Sequence, residues 1–183
     1  MRYRRVVLKL SGQAIAGETG FGFDSDRLTH LAHEVIAVHE AGVEVAVVVG
    51  GGNIFRGNRS ADWGIDRVEA DNIGMLGTII NAVLLRGRLS ALGGADVRLM
   101  TAVPIDIMAE PYIRLRALRH LEKGAIVLLA GGNGQPFTTT DYPAVQRAVE
   151  LKADALLVAK NGVDGVYDAD PHKVGSARRF GRL

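Results

Sequence analysis

A chain of 183 residues with 48% apolar and 23% charged residues has the balance of a folded globular domain around one core. Its net charge of +2 is too small a surplus to argue for nucleic-acid binding, and the absence of cysteine excludes disulfides and thiolate metal sites. No apolar run, read along the sequence, approaches a membrane span. Met1-Arg-Tyr-Arg-Arg leads into a strand without signal-peptide features, so a soluble cytoplasmic protein is expected.

Strands and helices alternate. Arg5 to Leu10 reads as a strand and Gly12 to Phe23 as a glycine-rich connection. Asp24 to Ala41 places Leu28, Leu31, Val35 and Val38 at helical spacing, with Asp24 at its start and Gly42 just past its end. Val43 to Val49 is a β-branched run with little alternation, as in a parallel strand covered on both faces. Asp66 to Leu92 is a long helical segment containing Met75, Leu76, Ile79, Ile80, Val83 and Leu84; its apolar stripe suits either the core or a subunit interface. Val97 to Thr101, Ala125 to Ala130 and Ala155 to Ala159 read as strands, and Pro111 to Glu122 and Tyr142 to Leu151 as helices. This alternation predicts a single α/β domain over residues 1–183: a three-layer, open, mostly parallel sheet with helices on both faces.

Ligands of such sheets bind beyond the carboxyl ends of the strands, and the glycine-rich stretches all fall there. Gly12 follows the first strand, Gly50-Gly51-Gly52 the second, Gly131-Gly132-Asn133-Gly134 the strand at Ala125 to Ala130, and Asn161-Gly162 the last. Glycine backbone amides suit phosphate, and Arg56 beyond the triple glycine adds a cation. Lys9 lies inside the apolar run Val6-Val-Leu-Lys-Leu10, where a lysine is costly unless it reaches an anion or faces water from an edge strand. Neither a P-loop nor a dinucleotide fingerprint occurs. Asp71, early in the long helix, reads as a solvated residue, and Asp141 stands where a helix N-cap is expected. His30 and His33 have a spacing usable by a metal, yet no third ligand is suggested and a solvated face is the simpler reading. Trp63 and Tyr112 suggest no chemistry.

Five motifs occur in order: Lys9-Leu-Ser-Gly12, Gly50-Gly-Gly-Asn-Ile-Phe-Arg-Gly57, Asp71-Asn-Ile-Gly-Met-Leu76, Pro136-Phe-Thr-Thr-Thr-Asp141 and Val163-Asp-Gly-Val-Tyr-Asp-Ala-Asp-Pro171. Together they resemble the bacterial uridylate kinases of the amino-acid-kinase superfamily. The resemblance implies transfer of the γ-phosphoryl of ATP to UMP, giving UDP, with Mg²⁺. It assigns Lys9, Leu10, Ser11 and Gly12 to the ATP phosphates, with Lys9, Arg56 and Asp141 as the catalytic group. Gly51 and Gly52 are implied to approach UMP and ATP respectively, and Asp71 to contact UMP. Asn133, Gly134, Gln135, Pro136, Phe137, Thr138, Thr139 and Thr140 match the segment that wraps UMP; Asn161, Tyr167 and Asp170 match ATP contacts. Gly17, Glu18, Thr19, Gly20, Phe21 and Gly22 match a hairpin region tied to activation by GTP. Inhibition by UTP and a homohexamer are implied in the same way.

The chain departs from that pattern at Gln13, where glutamate is common, in Asn133-Gly-Gln-Pro-Phe-Thr-Thr-Thr140, and at Tyr142-Pro143. The family continues with further helix and strand where Leu183 ends this sequence, so a carboxyl-terminal truncation is expected. Two alternatives stay open: another kinase of the superfamily acting on a carboxylate or carbamate, and a non-catalytic nucleotide- or oxyanion-binding protein on the same fold, as in molybdenum storage proteins.

Overall fold

Two valine-rich runs form the centre of the sheet. In the computed structural model, which describes residues 2–93, 95–159, 163–169 and 171–181, β1 (Arg5–Leu10) and β2 (Glu44–Val49) lie parallel, with Lys9 opposite Val48 and Leu10 opposite Val49. β3 (Val97–Thr101), β4 (Glu110–Pro111), β5 (Ile126–Ala130) and β6 (Ala155–Val158) complete a parallel sheet of order β4-β3-β5-β2-β1-β6. The helices are α1 (Gln13–Ala16), α2 (Ser25–Glu40), α3 (Ser60–Trp63), α4 (Arg67–Leu92), α5 (Arg114–Glu122) and α6 (Asp141–Glu150).

Successive strand residues serve opposite faces, which is why these strands show no polar alternation. Val6, Val45, Val47, Ile126 and Leu128 pack in one cluster with Leu28 and Val35 of α2 and Ile79, Leu85 and Leu89 of α4. Val7, Ala46, Val48, Val127 and Leu129 pack on the other face with Ala117 and Leu121 of α5 and Ala144 of α6. Each fully buried leucine or valine contributes on the order of 1.5–3 kcal/mol. Asp24 caps α2 by accepting from the N–H groups of Asp26 and Arg27, and Asp66 caps α4 by accepting from Val68 N–H.

The fold class is as expected, with three differences in detail. The glycine-rich connection contains α1 and a 3-10 turn over Gly17–Thr19, and no strand pairing makes it a hairpin among the described residues. The two-residue β4 is too short to leave a pattern in sequence. It takes Pro111 as an edge residue, so α5 starts at Arg114 rather than at the proline. Contrary to the sequence reading, α4 is long and apolar enough to cross a membrane by length and composition alone. Its apolar stripe divides between two surroundings. Ile79, Ala82, Leu85 and Leu89 are core, whereas Ile73, Leu76 and Ile80 are partly exposed.

Candidate active site

The carboxyl ends of β1, β2 and β5 open on one cleft of about 460 Å³. Lys9, Ser11 and Gly12 reach it from β1; Gly50, Gly51, Gly52 and Arg56 from β2; Gly132, Asn133, Gln135, Thr138, Thr139 and Thr140 from the segment after β5. Arg67, Asp71 and Thr78 of α4 form a further wall. Three of the four glycine-rich loops therefore meet at the sheet edge. The fourth, with Asn161 and Gly162, lies outside the described residues, as does Asp170.

Lys9 is not on an edge strand. β1 is paired on both sides, and the residue is only 8% exposed. Its ammonium meets the Oδ1 of Asp141 at 2.7 Å. Asp141 is the first residue of α6 rather than its N-cap, a place Thr140 takes without a side-chain cap bond. A carboxylate in that first turn is favoured by the helix dipole. Lys9 lines the cleft, whereas Asp141, the more exposed partner, is reached through this ion pair and is not itself part of the lining.

Beside this pair runs a row of backbone donors. Gly50 N–H is used by Leu10 C=O at 2.9 Å, but no acceptor is recorded for the N–H groups of Gly12, Gly51 and Gly52 among the described residues. Unpaired amides that line a cleft on glycine backbone form an anion-binding concavity. Gly12 is required for packing as well: a Cβ there would sit 2.9 Å from both Gly50 O and Gly52 N. Arg56 is exposed and folds back so that its Nε donates to Gly52 C=O at 3.2 Å. Leu10 contributes backbone alone, because its side chain belongs to the core.

Asp71 is not simply solvated. Both of its oxygens accept from Arg67 Nε at 3.0 Å, and Oδ2 also accepts from Phe137 N–H at 2.8 Å. This ties α4 to the segment after β5, where Phe137 takes a positive φ of 61° and presents an exposed ring near the Arg67 guanidinium. Thr78 makes a second tie: its hydroxyl donates to Met75 C=O and accepts from Gly131 N–H, each at 2.7 Å. Gly134 turns back to donate to Gly131 C=O. Pro136 and Phe137 stand outside the cleft lining, whereas Asn133, Gln135 and the three threonines are part of it.

A network beneath this segment was not legible in sequence. The Arg147 guanidinium lies 3.7 Å from the centre of the Tyr112 ring and donates to Glu150 at 2.7 Å, while the Tyr112 hydroxyl donates to Glu150 at 2.6 Å. Burial and the Glu150 contact push the Tyr112 phenol well above its ordinary pKa. Burial acts to raise the Glu150 carboxyl, but hydrogen bonds from Tyr112 and Arg147 outweigh it and hold the group below its ordinary value.

Other expected residues lie elsewhere. Tyr167 bridges to Arg179 and donates to Asp164 at 2.6 Å, lining a separate hollow with Val163, Pro171 and His172. Gly17 and Glu18 border a shallow hollow against Arg27 and His30 of α2, with Phe21 exposed beyond them. His30 and His33 are exposed, and no metal-binding group of three or more such side chains occurs among the described residues.

Comparison with known proteins gives this geometry a lineage. The Amino acid kinase family matches residues 4–183. The chain is 71% identical over 182 residues to the uridylate kinase of Frankia alni and 70% identical to that of Frankia casuarinae; it is covered completely in both cases and spans 71% and 70% of their lengths. Among solved structures, the UMP kinase of Bacillus anthracis matches with a TM-score of 0.89 and 58% identity, over 97% of this chain and 72% of that one. The UMP kinase of Ureaplasma parvum matches at 0.87 and 33% identity, over 98% of this chain and 76% of that one. With the match running from Arg4 through the last residue, the chain belongs to the amino acid kinase family.

Proposed function

We propose that the chain transfers the γ-phosphoryl group of ATP to UMP, giving UDP and ADP, as a step of pyrimidine nucleotide synthesis. The observation that carries this reading is Lys9, paired with Asp141, set beside Gly12, Gly51 and Gly52 in the lining of one cleft. The high identity to proteins named uridylate kinase supports the choice of acceptor.

In this reading an oxygen of the UMP phosphate attacks the γ-phosphorus. The new P–O bond forms as the bond from that phosphorus to the β,γ-bridging oxygen breaks, and the electron pair leaves with ADP. Little covalent chemistry falls to the protein, which positions the phosphates and stabilises charge. Lys9, held at low exposure, neutralises charge on the group in flight. The amides of Gly12 and Gly52 hold the donor phosphates together with Arg56, and Gly51 serves the acceptor side. Asp71, an acceptor-only group when ionised, receives ribose hydroxyls. Thr138, Thr139, Thr140, Asn133 and Gln135 offer neutral donors and acceptors, as an uncharged uracil requires.

The chemistry of the cleft fits Mg²⁺ carried mainly by nucleotide phosphates, since Mg²⁺ takes one or two carboxylates plus phosphate oxygens rather than an all-protein cage. Asp141 would hold it, and when bound the ion neutralises phosphate charge. A soluble cytoplasmic enzyme is part of the proposal, with the core face of α4 buried in the fold. So is a homohexamer regulated by GTP and UTP, the partly exposed Ile73, Leu76 and Ile80 giving α4 apolar surface to bury between subunits.

A coupled assay for ADP release, run with ATP and a panel of UMP, CMP, carbamate and amino-acid carboxylates, tests the reading. Turnover with UMP alone is expected. Preference for a carboxylate or carbamate would move the chain to another branch of its family, and tight nucleotide binding without turnover would make it a binding protein.

A further inference from the structure

Asn53 and Asn81 form a reciprocal amide pair at the base of the glycine loop, with exposures of 1% and 0%. Asn53 Nδ2 donates to Asn81 Oδ1 at 3.0 Å, and Asn81 Nδ2 donates to Asn53 Oδ1 at 2.6 Å. The second hydrogen of each amide is also used. Asn81 donates to Gly50 C=O at 2.6 Å, and Asn53 donates to Gly22 C=O at 2.8 Å. All four amide hydrogens thus have acceptors, and Gly22 N–H returns a bond to Asn53 C=O at 3.0 Å. Two asparagines in a core are costly unless satisfied in this way, and a satisfied buried network fixes one arrangement of the groups it joins.

The group it joins is the Gly50–Gly51 peptide. Across a planar trans peptide, the C=O of one residue and the N–H of the next point in opposite directions. By holding Gly50 C=O toward α4, Asn81 turns Gly51 N–H the other way. Without that bond the peptide lies between two glycines, whose backbones rotate with little steric resistance. Valine strand on one side and helix on the other fix the ends of the loop but not the direction of this one amide.

We infer that Asn81 is a positioning residue for phosphoryl transfer, orienting the Gly51 N–H through the Gly50 carbonyl, and that Asn53 holds Asn81 in place. The inference rests on the proposed kinase reading for its consequence on turnover, but the amide's orientation is a separate observable.

Two measurements on the same variants separate them. Asn81→Leu keeps the branching of the side chain and removes the donor; Asn81→Ala removes the donor with a smaller side chain should the leucine variant not fold. Leu89→Val, in the same helix and far from the loop's hydrogen bonds, supplies a variant with altered core packing only. Roughly tenfold or greater loss of kcat is expected in the Asn81 variants, as for a misplaced substrate group, and kcat within twofold of wild type in Leu89→Val. In ¹⁵N-glycine-labelled protein, the Gly51 amide resonance should move on adding inorganic phosphate, which stands in for the acceptor's single phosphate, to wild type and stay in place in the Asn81 variants. Wild-type kcat in the Asn81 variants overturns the inference, as does an amide response to inorganic phosphate that survives the substitution or is missing from wild type. Absence of UMP turnover in wild type with an Asn81-dependent amide response refutes the kinase reading while leaving the positioning role intact.

Discussion

The Nζ of Lys9 and the Oδ1 of Asp141 sit 2.7 Å apart, yet the two side chains differ in exposure, 10% against 45%. Their loss should therefore have unequal consequences. Removing one partner of a buried pair leaves the other uncompensated, and the penalty falls on whichever charge cannot reach water. Lys9→Ala leaves Asp141 half open to solvent, so folding should survive while kcat falls roughly 10²- to 10³-fold, as when a charge-stabilising donor is lost. Asp141→Ala strands the lysine and should lower the melting temperature more than Lys9→Ala does. Near-normal turnover in the lysine variant would remove Lys9 from the mechanism, and the reverse order of melting temperatures would contradict the burial argument.

Asp71→Asn should raise the KM for UMP by about tenfold or more and that for ATP little, since a hydrogen bond to a charged acceptor is worth roughly 1.5–3 kcal/mol. The amide keeps one oxygen for either Arg67 or Phe137, which the carboxylate serves together at 3.0 and 2.8 Å. The segment after β5 should stay folded but less firmly tied. Steady-state kinetics with each nucleotide varied in turn checks this, and equal effects on both would place Asp71 at the wrong site.

The parts of the site that come from strand ends were readable because two periodicities collide there. Val45 to Val49 has no polar alternation, so the three glycines after it had to mark an edge rather than a face. Lys9 was conspicuous for the same reason, a charge inside an apolar strand. The devices that orient these groups left no such mark. Asn53 and Asn81 resemble any polar residues of a loop and a helix until the fold buries both. Arg67 and Tyr112 act through partners distant in sequence, Phe137 and Glu150, that no local period relates to them. Asp141 looked like an N-cap because residue type at a helix start does not reveal whether the side chain turns to its own backbone or to another strand.

Glu150 gives a pH dependence with a definite sign. Its folded pKa lies below its ordinary value of 4.5 because hydrogen bonds from Tyr112 and Arg147 outweigh the effect of burial. The folded protein thus binds this proton less readily than the unfolded chain. The contribution is complete above pH 4.5 and is lost as pH falls through the depressed folded value. Glu150→Gln should lower stability at pH 7 and flatten the decline below pH 4.5. Urea unfolding midpoints from pH 7 down to pH 3 would show it; parallel curves for wild type and variant would mean that the carboxylate is not coupled to folding.

Gly51 and Gly52 are adjacent and alike in sequence, yet their surroundings predict opposite outcomes. A Cβ on Gly51 would lie 2.5 Å from Gly74 O, 2.8 Å from Thr78 N and 3.1 Å from Gly77 C, all backbone atoms of α4. No side chain there can yield, so loop or helix must shift, at an expected cost of about 1–3 kcal/mol. A Cβ on Gly52 meets only the Arg56 side chain, 3.7 Å away at its nearest atom. Neither glycine takes a positive φ, so alanine is not excluded by backbone strain at either position. Gly51→Ala should lower the melting temperature by several degrees and weaken turnover through the displaced loop. Gly52→Ala should melt with wild type but show a raised KM for ATP, because the methyl group adds bulk to the cleft lining beside an amide proposed to hold the donor phosphates. Thermal unfolding and KM for both nucleotides, measured on the two variants together, make the comparison. If Gly51→Ala melts with wild type, its glycine is not there for packing on α4; if Gly52→Ala keeps its ATP affinity, that amide is not a donor-phosphate contact.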